Sequence, residues 1–213
     1  MSFDVDGHLG AVERSVSSLD RQRQPARAVT LSRTYATTVR NLWDAVTNGE
    51  RIPRWFLPVS GALELGGRYQ LEGNAGGLIT ACERPSRFAL TWEFGEEVSW
   101  VEVCFSDEES ASARLTLTHT AHDSAHWGNY GPGAVGVGWE LGLMGLAIHL
   151  SEPTKPKPDE AAFATSRAGK AFIKGSSERW ERAAVAFGME PDVARAAARR
   201  TTAFYTGDSD EPT

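Results

Sequence analysis

RFALTWEFGEEVSWVEVCFSDEESASARLTLTH, the stretch Arg87–His119, decides the fold. Three runs alternate apolar and polar residues with a period of two, which places Phe88, Leu90, Trp92 and Phe94 on one face of a sheet. Val101, Val103 and Phe105, then Leu115, Leu117 and His119, repeat the pattern, while Thr91, Glu93, Glu102, Arg114 and Thr116 fall on the opposite face. Gly95 and the acidic Asp107-Glu108-Glu109 separate the runs. Connections this short leave no room for crossover helices, so neighbouring strands run antiparallel.

Upstream, Gly61–Leu65, Arg68–Leu71 and Leu78–Cys82 read as three more strands, punctuated by Gly66-Gly67, Gly73 to Gly77 and Arg84-Pro85. Val29, Leu31, Arg33 and Tyr35 alternate and supply a seventh strand. Thr37 or Thr38 then caps a helix bearing Val39, Leu42, Trp43 and Val46. A short second helix fits Asn48–Trp55. Residues 1–26 form a polar arm or short helix with a weak three-to-four spacing at Leu9, Val12 and Val16. Downstream, Val135–Leu150 is an apolar helix at the lower edge of membrane-spanning length. It carries Glu140 and His149, which favours burial in a protein core over a lipid span. Residues 151–163 are a Pro-rich linker, 164–207 a helical extension with a stop at Gly188 and a start at Pro191, and 208–213 a disordered tail.

Composition narrows the function classes. The 213 residues carry 22 Lys and Arg against 28 Asp and Glu, a net charge of −6, which argues against binding a phosphate backbone. Two cysteines, Cys82 and Cys104, make neither a disulfide framework nor a metal pattern, and the polar N-terminus has no signal-peptide core, so the reading is cytoplasmic. Gly131, Gly133 and Gly136 match G-x-G-x-x-G, yet no strand precedes them, so a nucleotide site is not expected. His119, His122, Asp123 and His126 cluster without a spacing that fixes ligand geometry; the expectation is no metal and no cofactor. The glycines from Gly133 to Gly145 thin the long helix, favouring a close contact or a void over local stability.

With strand, two helices, six strands and a long helix in order, the sequence resembles the START-like (SRPBCC) superfamily. Within it, the nearest group is the one related to the C-terminal domain of the heat-shock chaperone ATPase activator. The resemblance rests on Arg33-Thr-Tyr35, Leu42-Trp43-Asp-Ala45-Val-Thr47, Arg54-Trp55-Phe56, Gly66-Gly67-Arg68-Tyr69, Gly77-Leu-Ile79, Pro85-Ser-Arg87-Phe88, Thr91-Trp92, Leu115-Thr-Leu117-Thr-His119 and Gly138-Trp139-Glu140. It covers residues 28–150, and the flanks look like a bacterial subgroup with a C-terminal helical extension. It implies an α+β helix-grip fold, a curved seven-stranded antiparallel sheet wrapped around the long helix, with a hydrophobic cavity between them.

Such a cavity makes Tyr69, Trp92, Trp127 and Trp139 its expected aromatic lining, with His119 and Glu140 as convergent polar groups. Ordinary core packing is the competing account of each aromatic. A carboxylate in the middle of an apolar helix needs a partner or a raised pKa, so Glu140 and His119 are also the candidate catalytic pair. Three functions follow: a carrier or receptor for a small hydrophobic molecule, a cyclase- or dehydratase-like enzyme, and a chaperone-associated or self-associating module, in which a homodimer is left open.

Overall fold

The structure, a computed structural model, describes residues 3–208. In chain order the elements are α1 (Val5–Gly10), β1 (Val12–Arg21), β2 (Gln24–Tyr35), α2 (Val39–Thr47), a 3-10 turn (Ile52–Arg54), β3 (Val59–Gly61), β4 (Arg68–Leu71), β5 (Gly76–Glu83), β6 (Arg87–Phe94), β7 (Glu97–Glu108) and β8 (Ser112–His122). Helices α3 (Ala125–Tyr130), α4 (Gly133–Ser151), α5 (Glu160–Thr165), α6 (Arg167–Phe187) and α7 (Pro191–Thr206) follow. The fold is the expected α+β helix-grip type. Its sheet has eight strands in the order β1-β2-β8-β7-β6-β5-β4-β3, one more than expected.

The extra strand is β1, inside the segment read as an arm or helix. Leu9, Val12 and Val16 fit a helical spacing, but Val12, Arg14 and Val16 fit alternation equally well, and the buried and half-buried positions follow the second pattern. The β1–β2 turn is Gln22-Arg23, both at positive φ (53° and 66°), a conformation usually announced by Asn or Gly. Smaller differences have similar local causes. The strand expected at Gly61–Leu65 is Val59–Gly61, the helix expected over Asn48–Trp55 is one 3-10 turn, and the loop before α4 contains α3, capped by Ser124. Ser166 caps α6 and so divides the expected 164–187 helix, leaving α5 partly within the expected linker.

The chain forms two compact units that do not follow its order. Among the described residues, one contains those up to Leu31, His122–Leu141 and those from Pro158 on; the other contains Ser32–Ala121 and Gly142–Lys157. Within the second unit the antiparallel registers Phe88↔Val103, Trp92↔Ser99, Val101↔His119 and Val103↔Leu117 put the expected apolar set on one face. The inward members of β7 and β8 are buried, and Phe94, next to the hairpin tip, is 60% exposed. Trp43 of α2 packs edge-on against Phe105 (5.3 Å) and Phe88 (6.0 Å), anchoring that helix to the sheet. The second half of α4 belongs to this unit: the Tyr35 hydroxyl donates to the Leu143 carbonyl at 3.3 Å. A Cβ on Gly145 would meet the Trp55 carbonyl at 2.6 Å.

In the first unit the glycines of α4 are contact points. Thr201 lies 3.2 Å from where a Gly133 Cβ would stand, and the Tyr205 hydroxyl lies 2.7 Å from the same position on Gly138. The indole of Trp180 occupies the space such a carbon would need on Gly136. The Tyr205 hydroxyl also donates to the Ala134 carbonyl at 2.7 Å. Of the two accounts weighed for these glycines, close contact is the one realised here, and it docks α6 and α7 on the first half of α4. Residues 209–213, most of the expected tail, lie outside the described residues.

Candidate functional site

The sequence-derived site residues divide between the two units. Tyr69, Trp92 and His119 belong to the second, all on the inward face of the sheet. Tyr69 is buried in β4, and its hydroxyl donates to the Thr91 carbonyl at 2.8 Å; burial raises its pKa. Half-buried Trp92 stands beside His119, their ring centroids 6.0 Å apart. His119, 7% exposed, has Nε2 at 2.8 Å from the Ser99 hydroxyl, which in turn donates to the Trp92 carbonyl at 3.1 Å. A hydroxyl has one proton to give, so the imidazole Nε2 carries its own and donates to Ser99. Desolvation pushes the His119 pKa down to about 4, and the ring is uncharged at neutral pH.

Trp127, Trp139 and Glu140 belong to the first unit. Trp127, on α3, and Trp139, on α4, are half-buried. Glu140 has its carboxylate fully buried, and Arg14 of β1 grips both oxygens: Nε to Oε1 and Nη2 to Oε2, each at 2.6 Å. The same guanidinium donates to the Val12 and Leu9 carbonyls, so its orientation is fixed from the arm. A paired fork of this kind is the strong form of charge-assisted hydrogen bonding. The partner that an acid in an apolar helix demands is therefore an arginine from the other end of the chain.

The remaining sequence candidates resolve individually. Asp123 pairs with Arg27 at 2.8 Å, whose guanidinium also stands 5.2 Å from the Phe187 ring centre. His126 lies against Tyr130. Among the described residues no three His, Cys, Asp or Glu side chains converge on a metal-sized point. Gly131 terminates α3 at φ 60°, so a helix precedes the glycine motif, where a dinucleotide site needs a strand. Both cysteines are free, and they sit on strands separated by β6: Cys82 opposes Phe88, while Cys104 opposes Arg87.

Three residues were passed over at the sequence level. Arg33 is 8% exposed on β2, with its guanidinium 5.4 Å from the Tyr35 ring centre. Its alternation with Leu31 and Tyr35 was the available signal. Ser99 is set beside Trp92 by register, which alternation alone does not give. Arg14 carried no signal apart from being a charge on an alternating segment.

The family model described as "Activator of Hsp90 ATPase homolog 1-like protein" (AHSA1) matches residues 36–151. The chain belongs to this family. The AHSA1 segment covers α2 to the end of α4, so α5 to α7 and the arm lie outside it. Similar solved structures reach further. The crystal structure of CalU16 from Micromonospora echinospora shares 29% identity at a TM-score of 0.65, over 84% of this chain and 99% of that one. Its solution structure gives 27% identity and 0.63 over 92% and 94%. A conserved protein of unknown function from Enterococcus faecalis, at 11% identity and 0.60, covers 87% of this chain and 96% of its own and shares the fold alone. No curated protein matches.

Proposed function

We propose that this AHSA1-family protein binds a small hydrophobic or aromatic molecule in a START-like cavity, oriented by His119 beside Trp92 and Tyr69. The observation that carries the reading is the buried, uncharged His119, held by Ser99 next to an inward-facing indole. Binding sites for small molecules combine apolar walls with a few fixed polar groups, and an uncharged imidazole suits a ligand that is itself uncharged. Trp127, Trp139 and Glu140 belong to the other unit, and this reading does not depend on them.

Binding is favoured over proton transfer by the state of Glu140. A fully buried carboxylate whose two oxygens both accept from Arg14 is already engaged and poorly placed to exchange a proton with a ligand. The description of the family favours one further reading, action on a heat-shock chaperone. Stimulation of such a chaperone's ATPase by the purified protein would replace the ligand reading.

Native mass spectrometry of the protein as purified is the direct test, with a retained small molecule as the expected result. Where the protein emerges empty, titration with 1-naphthol is expected to quench tryptophan emission saturably. His119→Phe is expected to weaken that affinity about tenfold, equivalent to one lost hydrogen bond of about 1.4 kcal/mol. Neither a retained molecule nor a saturable quench would end the proposal.

A further inference from the structure

The last turn of α4 and the 3-10 turn Ile52–Arg54 bring together cationic groups that the ligand reading does not use. Arg51 Nη2 lies 3.4 Å from His149 Nε2. A guanidinium can only donate, so Nε2 is the acceptor and the neutral imidazole carries its proton on Nδ1. His149 is 4% exposed, and its Nδ1 is buried with no hydrogen-bond partner. A buried N–H donor without an acceptor is unusual enough to need an explanation.

Arg54 stands on the same side. A 3-10 turn repeats every three residues, and the Arg54 amide donates to the Arg51 carbonyl at 3.0 Å, so the two side chains leave from one face. Arg54 is exposed and, among the described residues, makes no side-chain hydrogen bond or ion pair. Its charge and that of Arg51 both act on His149, adding to burial in lowering the ring's basicity. Asp44 answers Arg51 through Nη1 at 2.7 Å, and Glu152 is paired with Lys155. One guanidinium is left over in a chain of net charge −6. The carbonyl end of α4 accounts for cations gathering here, since helix C-termini attract them. It does not account for an imidazole N–H with nothing to donate to.

We propose that this corner binds a phosphate group, with the His149 Nδ1–H and the Arg54 guanidinium as its donors. A carboxylate would spend both oxygens on the guanidinium fork, whereas a tetrahedral phosphate keeps a third oxygen for the imidazole.

Titration with inorganic phosphate, and separately with phenyl phosphate, at constant ionic strength tests this by following the five histidine ring signals in NMR. The expected result is a saturable shift of His149 alone, with a dissociation constant of about 1 mM, and roughly tenfold weaker binding in Arg54→Gln. A tighter response to phenyl phosphate would identify a phosphomonoester as the natural source, and an equal response the free ion. No saturable shift, a common shift of all five rings, or equal affinity in Arg54→Gln would overturn the site. Because the other four histidines include His119, failure here is distinguishable from failure of the cavity proposal.

Discussion

Arg14 and Glu140 exchange two hydrogen bonds away from water, and removing one partner leaves the other as a bare buried charge. Arg14→Ala is expected to destabilise the fold by about 3–5 kcal/mol in urea denaturation, while Arg14→Met with Glu140→Leu recovers most of that loss. His119 makes a separate prediction. Its pKa is about 4 in the folded chain against 6.5 for an ordinary histidine, so the unfolded chain takes up the proton first. Stability from this group is complete above pH 6.5, falls as the pH drops through that value and is lost by about pH 4. The total is about 3 kcal/mol. His119→Gln should flatten that part of the stability–pH curve; an unchanged curve would refute the assignment. The need of Glu140 for a partner was legible from its apolar surroundings. The identity of the partner was not, because a pairing across 126 positions leaves no trace in local pattern.

Among the elements, α4 gives the sharpest test. Intrinsic propensity says that glycine to alanine inside a helix gains about 0.8–1 kcal/mol. At Gly136 the Trp180 ring occupies the space for the new methyl, so Gly136→Ala is expected to lose about 1–3 kcal/mol by thermal melting. Gly128, on α3, has nothing within 4 Å of that position, and Gly128→Ala should be neutral or stabilising. If both variants behave alike, the helix contacts described for α6 are wrong. Strands β4 to β8 were legible because each carries its own alternation and glycine or acidic punctuation. β1 was ambiguous because three apolar residues fit two periods and because Gln22-Arg23 is an uncommon turn. α3 was missed because six residues, Ala125–Tyr130, hold little periodic signal.

At the scale of the molecule, the family match ends at Ser151, yet the later helices complete one of the two compact units. Trp180, Thr201 and Tyr205 supply the surfaces that rest on Gly136, Gly133 and Gly138. A chain ended at Lys157 is therefore expected to expose that part of α4 and to bind a hydrophobic dye such as anilinonaphthalene sulfonate, while the full chain does not. Equal dye binding by both would mean that α6 and α7 are dispensable to the fold. This partition into units was not legible, since composition marks linkers but not which distant segments share a core.

The order in which the units can be completed follows from how they are threaded. Ser32–Lys157 precedes α6 and α7 in the chain, so the unit that contains Ser32–Ala121 and Gly142–Lys157 has all its residues before those helices are free to pack. Arg14, which lies ahead of that segment, belongs to the unit that must wait for α6 and α7. During that interval the β1–β2 hairpin and the notched stretch of α4 wait half-assembled, the period in which a nascent chain most needs protection from its neighbours.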